Sequence, residues 1–388
     1  MVPGGERVRA AGGAPLRVST LELFFDLVFA FTLTQLTARL ADSGFTFVSI
    51  AQVLLVFGVL WWMYGGYAWL TNARAPDSTV SRLLLLLGMA GFLVVGLAIP
   101  RGFDAPQSGG SGVALGLGYL VVVAVHAMLY YRVNRNILRI APFNVGSAVL
   151  VIVAGAVSGA AKYPLWAAAL AIQILAPLIR PVAGRFEISP AHFVERHGAL
   201  IIVALGESVA AVGIGAASLV LSAQLVVAVV LGLALSACLW WAYFGSGDDE
   251  RAERAMTSAS PERRPRLALA GYFFAHAPML LGVVALSAGV KLTIGHAAQP
   301  HPARQALALG AGVALFLAGD AAFREVMGIG RAWARYAAAV FAVATAALGA
   351  TVATEAQLAV LIAAVAGMLL AERQLAARLP AAGPPVSG

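Results

Sequence analysis

Twelve long apolar runs, separated by short polar segments, dominate the sequence. Each has about the twenty residues that an α-helix needs to cross a hydrocarbon core of about 30 Å. Only 11% of the residues are charged and 61% are hydrophobic, too few charges for soluble domains, in which about 25% of residues are charged. We therefore predict an all-α polytopic membrane protein with about twelve transmembrane helices. The runs cover residues 20–41, 48–70, 82–99, 113–132, 142–160, 163–180, 198–217, 221–244, 267–290, 305–325, 333–350 and 355–373.

The basic residues predict the orientation of these helices. With a cytoplasmic N-terminus, most of the 26 Lys and Arg residues fall in inner segments or at inner helix ends. The exceptions on the outer side are Arg39, Arg101, Lys162, Lys291 and Arg304. This distribution follows the positive-inside rule. Because an odd number of spans would scramble it, we expect twelve spans with both termini in the cytoplasm.

Two recurring patterns predict an internal duplication. Leu-Trp-Trp-Met-Tyr ends the second run at residues 60–64, and Leu-Trp-Trp-Ala-Tyr ends the eighth at residues 239–243. The third and ninth runs open on an arginine, and the fourth and tenth close on one. Matching features lie on the same side of the membrane, so the two six-helix repeats are expected to be parallel. The simpler alternative, that aromatic residues mark interfaces and arginines the inner side, explains each class but not the shared order.

The duplication divides the chain into five parts. The first repeat is predicted at residues 19–180 and the second at 198–376, with a cytoplasmic connector at 181–197. Residues 1–18, rich in Gly and Arg, and the Pro-rich residues 377–388 are expected to be disordered.

Ionisable residues inside the apolar runs are candidates for function, because a charge in a bilayer is costly. Glu207 lies about nine residues into its run, roughly 14 Å deep at 1.5 Å per residue, and no arginine is expected at that depth. His276 precedes Pro278, which frees a backbone carbonyl and bends a helix, as suits a polar cavity. Asp26 shares a helical face with Glu22. We predict that Asp26, Glu207 and His276 bind a cation or relay protons.

The acidic residues also have a structural interpretation. Glu22, Asp26 and Asp320 lie near the inner helix ends, where arginines are available to pair with them. The depth of those arginines favours pairing for Glu22 and Asp26, whereas Glu207 favours the functional interpretation. The structural ion-pair candidates are Glu22, Arg82, Arg132, Arg266, Asp320 and Arg324.

Sequence signals for soluble enzymes and bound cofactors are absent. The sequence has no phosphate-binding loop, dinucleotide-binding glycine motif, zinc-protease motif or Cys-x-x-Cys pair, so we expect no cofactor and no metal. The basic residues serve topology rather than nucleic-acid binding, and the single cysteine, Cys238, allows no disulfide framework. A membrane-embedded enzyme stays open, with Ser208 beside Glu207 as a candidate nucleophile.

Two motifs resemble a known family. These are Thr-Leu-Glu-Leu-Phe-Phe-Asp-Leu-Val-Phe at residues 20–29, and Glu-Arg-His-Gly at 195–198 running into Leu-Gly-Glu-Ser at 205–208. They are similar in order and spacing to the signature of the bacterial low temperature requirement A family, and the similarity extends over essentially the whole chain. The resemblance implies a multi-pass protein of the bacterial inner membrane, associated by its family name with growth in the cold.

A more distant similarity concerns the six-helix-repeat potassium channels of endolysosomes and bacteria. The match involves Glu22, Phe25, Asp26, Val28 and Phe29. The chain departs from that family, because Phe-Phe-Asp replaces Phe-Ser-Asp and the motif arginine is missing. The similarity therefore concerns the fold rather than the selectivity mechanism.

These observations lead to three hypotheses. The first is a transporter or channel-like protein with a polar site between the repeats, whose partners are the lipid bilayer and a small cation or proton. The second is a non-transporting membrane factor that supports growth or envelope function in the cold. The third is a membrane-embedded enzyme acting on a lipid. The sequence leaves the substrate and the oligomeric state open.

Overall fold

The computed structural model describes residues 17–106, 109–179 and 188–377, and these residues form helices and short connections without a β-strand. The predicted lead-in and tail lie largely outside the described residues, as do residue 180 and residues 181–187 of the predicted connector. The helices are α1 (Thr20–Ser43), α2 (Phe47–Ala73), α3 (Thr79–Ala98), α4 (Ser111–Tyr131), α5 (Ala141–Ala156), α6 (Lys162–Ile179), α7 (Pro190–Ala216), α8 (Ala223–Phe244), α9 (Asp248–Ser258), α10 (Arg264–Leu267), α11 (His276–Thr293), α12 (Ala303–Met327), α13 (Trp333–Ala344), α14 (Ala346–Thr351) and α15 (Thr354–Ala377).

Many of these helices have the length and apolarity of membrane spans. In the described part of the chain, ten helices, some extended by adjoining helical turns, are long and apolar enough to cross a bilayer. Large apolar side chains such as Leu83, Leu97 and Val340 are exposed on their outer surfaces, as expected for contact with lipid. The predicted polytopic helical fold is therefore confirmed. The shorter α5 and α6 are not among the ten, so the count of twelve stays a prediction.

The helix ends are gathered at two faces of the bundle. Asn72 near the end of α2 bonds to Ser189 before α7, and Arg324 near the end of α12 bonds to Asp248 at the start of α9. We call this side, where α1 and α7 begin, the arginine-rich face. At the opposite face, Lys291 at the end of α11 lies 3.5 Å from Asp42 near the end of α1.

A serine immediately precedes each of the helices α1 and α7. The Ser19 hydroxyl accepts a hydrogen bond from the Glu22 amide, and the Glu22 carboxylate accepts one from the Ser19 amide, which forms a capping box. Ser189 precedes Pro190, whose fixed φ suits the first helical position. The two caps place Glu22 and His192 at the same distance from the starts of their helices.

The α10–α11 segment contains an irregular turn. Residues Ala268–Ala275 are π-helical, with backbone hydrogen bonds that span five residues. The Phe273 carbonyl in this segment accepts hydrogen bonds from the His276 N–H and from Trp61 Nε1, the latter at 3.0 Å. Trp61 is buried, whereas Trp240 and Trp241 are exposed. Trp61 stacks on Phe273, with ring centroids 5.6 Å apart, and so contributes to the contact between the two halves.

Small residues bring α4 and α5 close together. A Cβ atom added at Gly112 would lie 2.7 Å from Gly155 Cα, and one added at Gly116 would lie 2.6 Å from Ile152 Cα. Close backbone approach of this kind lets apolar helices pack in a membrane. A side chain at Gly155 would force the two helices apart.

Gly155→Val is therefore expected to destabilise the protein by about 1–3 kcal/mol, the usual cost of overpacking. Gly146→Val is the matched control, because Gly146 lies on the same helix and nothing is within 4 Å of a Cβ built there. The midpoint of thermal unfolding in detergent measures both variants. Equal midpoints for the two would contradict the close packing of α4 on α5.

Candidate functional site

A buried arginine on α7 joins the two halves of the chain. Arg196 Nη1 lies 2.8 Å from Glu22 Oε1, and its Nη2 lies 3.0 Å from Asp26 Oδ1. All three side chains are buried. Because Glu22 and Asp26 are four residues apart on α1, their carboxylates project from one face and meet the fork of the guanidinium. The arrangement holds α1 against α7.

His192 completes the pairing with Glu22. Its Nε2 lies 3.1 Å from Glu22 Oε1, and its Nδ1 lies 3.1 Å from Asn72 Nδ2. The Asn72 amide oxygen accepts from the Ser189 N–H, so the nitrogen of that amide donates to His192 Nδ1. The His192 proton therefore sits on Nε2 and is donated to Glu22. Asn72 at the end of α2 thereby fixes the tautomer of a histidine on α7.

Asp26 is the less completely paired of the two carboxylates. Its Oδ1 accepts hydrogen bonds from Arg196 and from the Tyr64 hydroxyl, the latter at 2.9 Å. Its Oδ2 has no hydrogen-bond partner in the described residues, and neither has Arg196 Nε. The guanidinium lies over the rings of Phe25 and Tyr64, with its central carbon 5.6 Å and 5.7 Å from their centroids. Two carboxylates thus share one arginine, which leaves the network one negative charge in excess when both are ionised and His192 is neutral.

Glu207 lies farther along α7, where that helix still contacts α1. Its Oε2 accepts a hydrogen bond of 2.6 Å from the Thr34 hydroxyl, and only 7% of its surface is exposed. Eleven residues separate it from Arg196, or about 16 Å along the helix. No ion pair involves Glu207 among the described residues. Lys291 of α11 interacts with it electrostatically over a longer range.

His276 occupies a separate position behind the π-helical turn. Its Nδ1 lies 2.9 Å from the Gly271 carbonyl, so this nitrogen carries the proton. Its Nε2 lies 2.9 Å from the Tyr243 hydroxyl, which acts as the donor. The structure buries His276 completely. Within the described ranges, no hydrogen bond joins His276 to Asp26 or Glu207, so the three predicted site residues are not in one constellation.

A second charge network lies at the arginine-rich face of the second half. Arg335 of α13 pairs with Asp320 of α12 and forms two 3.0 Å hydrogen bonds to the Glu372 carboxylate of α15. Arg324 pairs with Asp248, which ties the short helix α9 to α12. With Arg251, which also pairs with Asp248, three arginines balance three acids, and the network joins the ends of several helices. No group of His, Cys, Asp and Glu within the described ranges is arranged to hold a metal ion.

The proposed partners of the acidic residues differ from those in the structure. Glu22 pairs with Arg196 and Asp320 with Arg335, neither of which the sequence reasoning had named as a pairing candidate. Arg82 donates to the Pro76 carbonyl at 3.0 Å. In the part of the chain that the structure describes, Arg82, Arg132 and Arg266 form no ion pair with a carboxylate.

A sequence signal for the missed residues exists in the serine caps. Aligning Ser19 with Ser189 sets Glu22 opposite His192 and Asp26 opposite Arg196. Each acidic residue of α1 therefore occupies the position equivalent to that of a basic residue of α7. The residues at equivalent positions contact each other in the structure.

Removing the buried arginine is expected to be costly. Arg196→Gln leaves Glu22 and Asp26 buried without their counter-charge, which should destabilise the protein by about 3–5 kcal/mol. Glu195→Gln, on the exposed side of the same turn, is the matched control and should leave the unfolding midpoint in detergent nearly unchanged. Adding Asp26→Asn to Arg196→Gln should restore part of the loss, because it removes one stranded charge. Unchanged stability of Arg196→Gln would contradict the pairing.

Comparisons with known proteins agree with the sequence resemblance. A family model described as the bacterial low temperature requirement A protein matches residues 17–371. An uncharacterized protein of Rhizobium meliloti (strain 1021) is 26% identical over 335 residues, which cover 80% of this chain and 78% of that relative. The family match includes α1 and α7 with their shared charge network, and the chain belongs to the bacterial low temperature requirement A family.

Proposed function

We propose that the chain is a transporter or channel-like protein for a small cation or protons, with Glu207 as the binding carboxylate. One observation carries this proposal. Glu207 is buried within a membrane-spanning helix with a threonine hydroxyl at 2.6 Å and, among the described residues, without an ion pair. An ionisable group kept inside the bilayer without a counter-charge is typical of an ion or proton pathway.

The surroundings of Glu207 suit a hard cation or a proton. Thr34 offers its hydroxyl from α1, and the buried Thr37 hydroxyl one turn farther has no hydrogen-bond partner in the described residues. Carboxylate and hydroxyl oxygens are ligands that hard cations accept. Lys291 at the opposite face can exchange its contact with the exposed Asp42 for an approach to Glu207, which would neutralise the empty site.

The position of Glu207 between two repeats supports the same proposal. Within each half, the first helix contacts the second and the third, and the third contacts the fourth: α1, α2, α3 and α4 correspond to α7, α8, α11 and α12. The fourth helix packs against the fifth in both halves. Transporters built from repeats bind their substrates at the repeat interface near the middle of the membrane, which is where α1 meets α7.

Twelve spans follow if α5 and α6 also cross the membrane. The 16 residues of α5 extend about 24 Å, slightly less than a typical hydrocarbon core. Both helices pack in the positions that α13 and α15 occupy in the second half. The concentration of arginines at one face then favours cytoplasmic termini and insertion in the bacterial inner membrane.

Asp26 and His276 have supporting roles in this proposal. Asp26 anchors or gates the path from the arginine-rich face, because its Oδ2 has no partner among the described residues. His276 serves as a hydrogen-bonding residue of the second half, on the helix that packs against both α1 and α7. A membrane enzyme has less support, because Ser208 bonds to the hydroxyl of Ser236 rather than to a base.

Transport is tested with purified protein in liposomes. The wild type is expected to move potassium, sodium or protons faster than protein-free vesicles, and Glu207→Gln should lower the flux at least tenfold by removing the charge. Glu195→Gln is the matched control, since it makes the same chemical change at an exposed position of the same helix. Unfolding midpoints of all three proteins in detergent establish that the variants are folded.

Two outcomes of this experiment would defeat the proposal. Wild-type flux no higher than that of protein-free vesicles for all three ions would refute transport of these ions. Full activity of a folded Glu207→Gln would refute the site. A flux reduced equally by Glu195→Gln would also refute a specific role for Glu207.

A growth experiment separates transport from a packing role in the cold. In a cold-sensitive deletion strain, the wild-type gene is expected to restore growth and Glu207→Gln to fail at equal membrane abundance. Full rescue by Glu207→Gln would favour the non-transporting membrane factor, in which Glu207 only contributes to packing.

A further inference from the structure

A crevice opens at the arginine-rich face between the ends of α2 and α4 and the start of α3. Its cavity volume is about 80 Å³, enough for a group of a few atoms. Two arginines from different helices reach it, Arg74 after α2 and Arg132 after α4. The hydroxyls of Ser78 and Ser81 also line it. The remaining wall is largely apolar, from Leu70, Leu85, Leu129 and Val133.

The crevice is strongly positive. Arg74 and Arg132 form no ion pair with a carboxylate within the described ranges, although both lie at the membrane surface. Arg82 in the first turn of α3, and Arg135 and Arg139 after α4, add further positive charge, against the single acidic residue Asp77. Two unpaired guanidinium groups converging on a small space are suited to an oxyanion, and arginine binds phosphate oxygens in its planar fork.

The hydroxyl groups favour the same class of ligand. Ser78 Oγ donates to Ser81 Oγ at 2.8 Å, so the Ser81 hydroxyl keeps its own proton for another acceptor. Both serines lie at the start of α3, where the backbone adds positive character. The serine hydroxyls and the start of α3 add hydrogen-bond donors to the site, whereas the arginines supply its charge.

The apolar side of the crevice points to the source of the anion. Arg74 and Arg132 directly follow α2 and α4, two apolar helices long enough to cross a bilayer, so the crevice lies at the level expected for lipid headgroups. A molecule whose phosphate sits between the arginines can therefore extend its acyl chains into the bilayer beside these helices. We propose that this crevice binds the phosphodiester of an anionic phospholipid, with Arg74 and Arg132 as its charged ligands.

The site also borders the buried charge network. Thr71 forms part of the crevice wall, and its hydroxyl lies 3.4 Å from Arg196 Nη1. A bound headgroup therefore supports the end of α2, which carries Thr71 and Asn72, next to the pairing of α1 with α7. We expect lipid binding to stabilise the folded bundle, because a ligand that binds only the native state raises its stability.

The experiment measures unfolding midpoints in detergent with increasing amounts of dioleoylphosphatidylglycerol or dioleoylphosphatidylcholine. The anionic lipid is expected to raise the wild-type midpoint, and the zwitterionic lipid is expected to do so far less. Arg74→Gln and Arg132→Gln should each weaken the apparent affinity for the anionic lipid about tenfold, as the loss of one charge-assisted contact predicts. Arg263→Gln, an exposed arginine of the same face that does not line the crevice, should bind like the wild type.

Three results would overturn the proposal. They are equal stabilisation by the two lipids, an undiminished affinity in the folded double variant of Arg74 and Arg132, and equal stabilisation by inorganic phosphate without lipid. The last would assign the crevice to a free anion.

A second measurement needs only the wild-type chain. A phosphatidylglycerol with a photoreactive group near its headgroup is expected to crosslink to residues 70–85 and 129–133. Crosslinks confined to other segments would also refute the site.

Discussion

The pairing of Arg196 with Glu22 and Asp26 determines how the two halves of this chain meet. A guanidinium withdrawn from water is tolerable only when its counter-charges and hydrogen-bond acceptors are well placed. Glu22 and Asp26 meet that condition because they are one helical turn apart and face α7 together. Any axial slip of α1 along α7 would separate all three groups. The pairing therefore fixes the register of the helices between which Glu207 lies.

The register also depends on the connections that precede the two helices. The capping box at Ser19 holds the Glu22 carboxylate beside the first turn of α1. Asn72 holds the backbone of Ser189 and the ring of His192 together. The cap of α1 is built from contacts within three residues, whereas the start of α7 depends on Asn72, which lies 117 residues before Ser189 in the chain. The charge network is thus supported from both halves.

The class of fold could be predicted from the sequence because the length of each apolar run can be compared directly with the thickness of the hydrocarbon core of a bilayer. Gly112 and Gly116 lie four residues apart, a spacing of small residues that is typical of closely packed helices in membranes, and both approach α5 closely. The pairing of Glu22 with Arg196, rather than with Arg82 or Arg132, could not be predicted from the sequence. That pairing depends on which helices are neighbours, and α1 lies beside α7, 170 residues away. The π-helical turn before His276 could not be predicted for a similar reason, because its Phe273 carbonyl also accepts a hydrogen bond from Trp61, which belongs to the other half.

The carboxylates between α1 and α7 form two groups whose charges are compensated differently. The excess charge of one group affects ion binding at the other. Glu22 and Asp26 share Arg196, which leaves one negative charge in excess, and Glu207 adds another about 16 Å farther along α7. At an effective dielectric constant of 20, two charges at that distance interact with about 1 kcal/mol. The network would then strengthen cation or proton binding at Glu207 by about fivefold. A proton taken up by Asp26 would remove that contribution, so the structural network at one face also sets the affinity of the proposed site nearer the middle of the membrane.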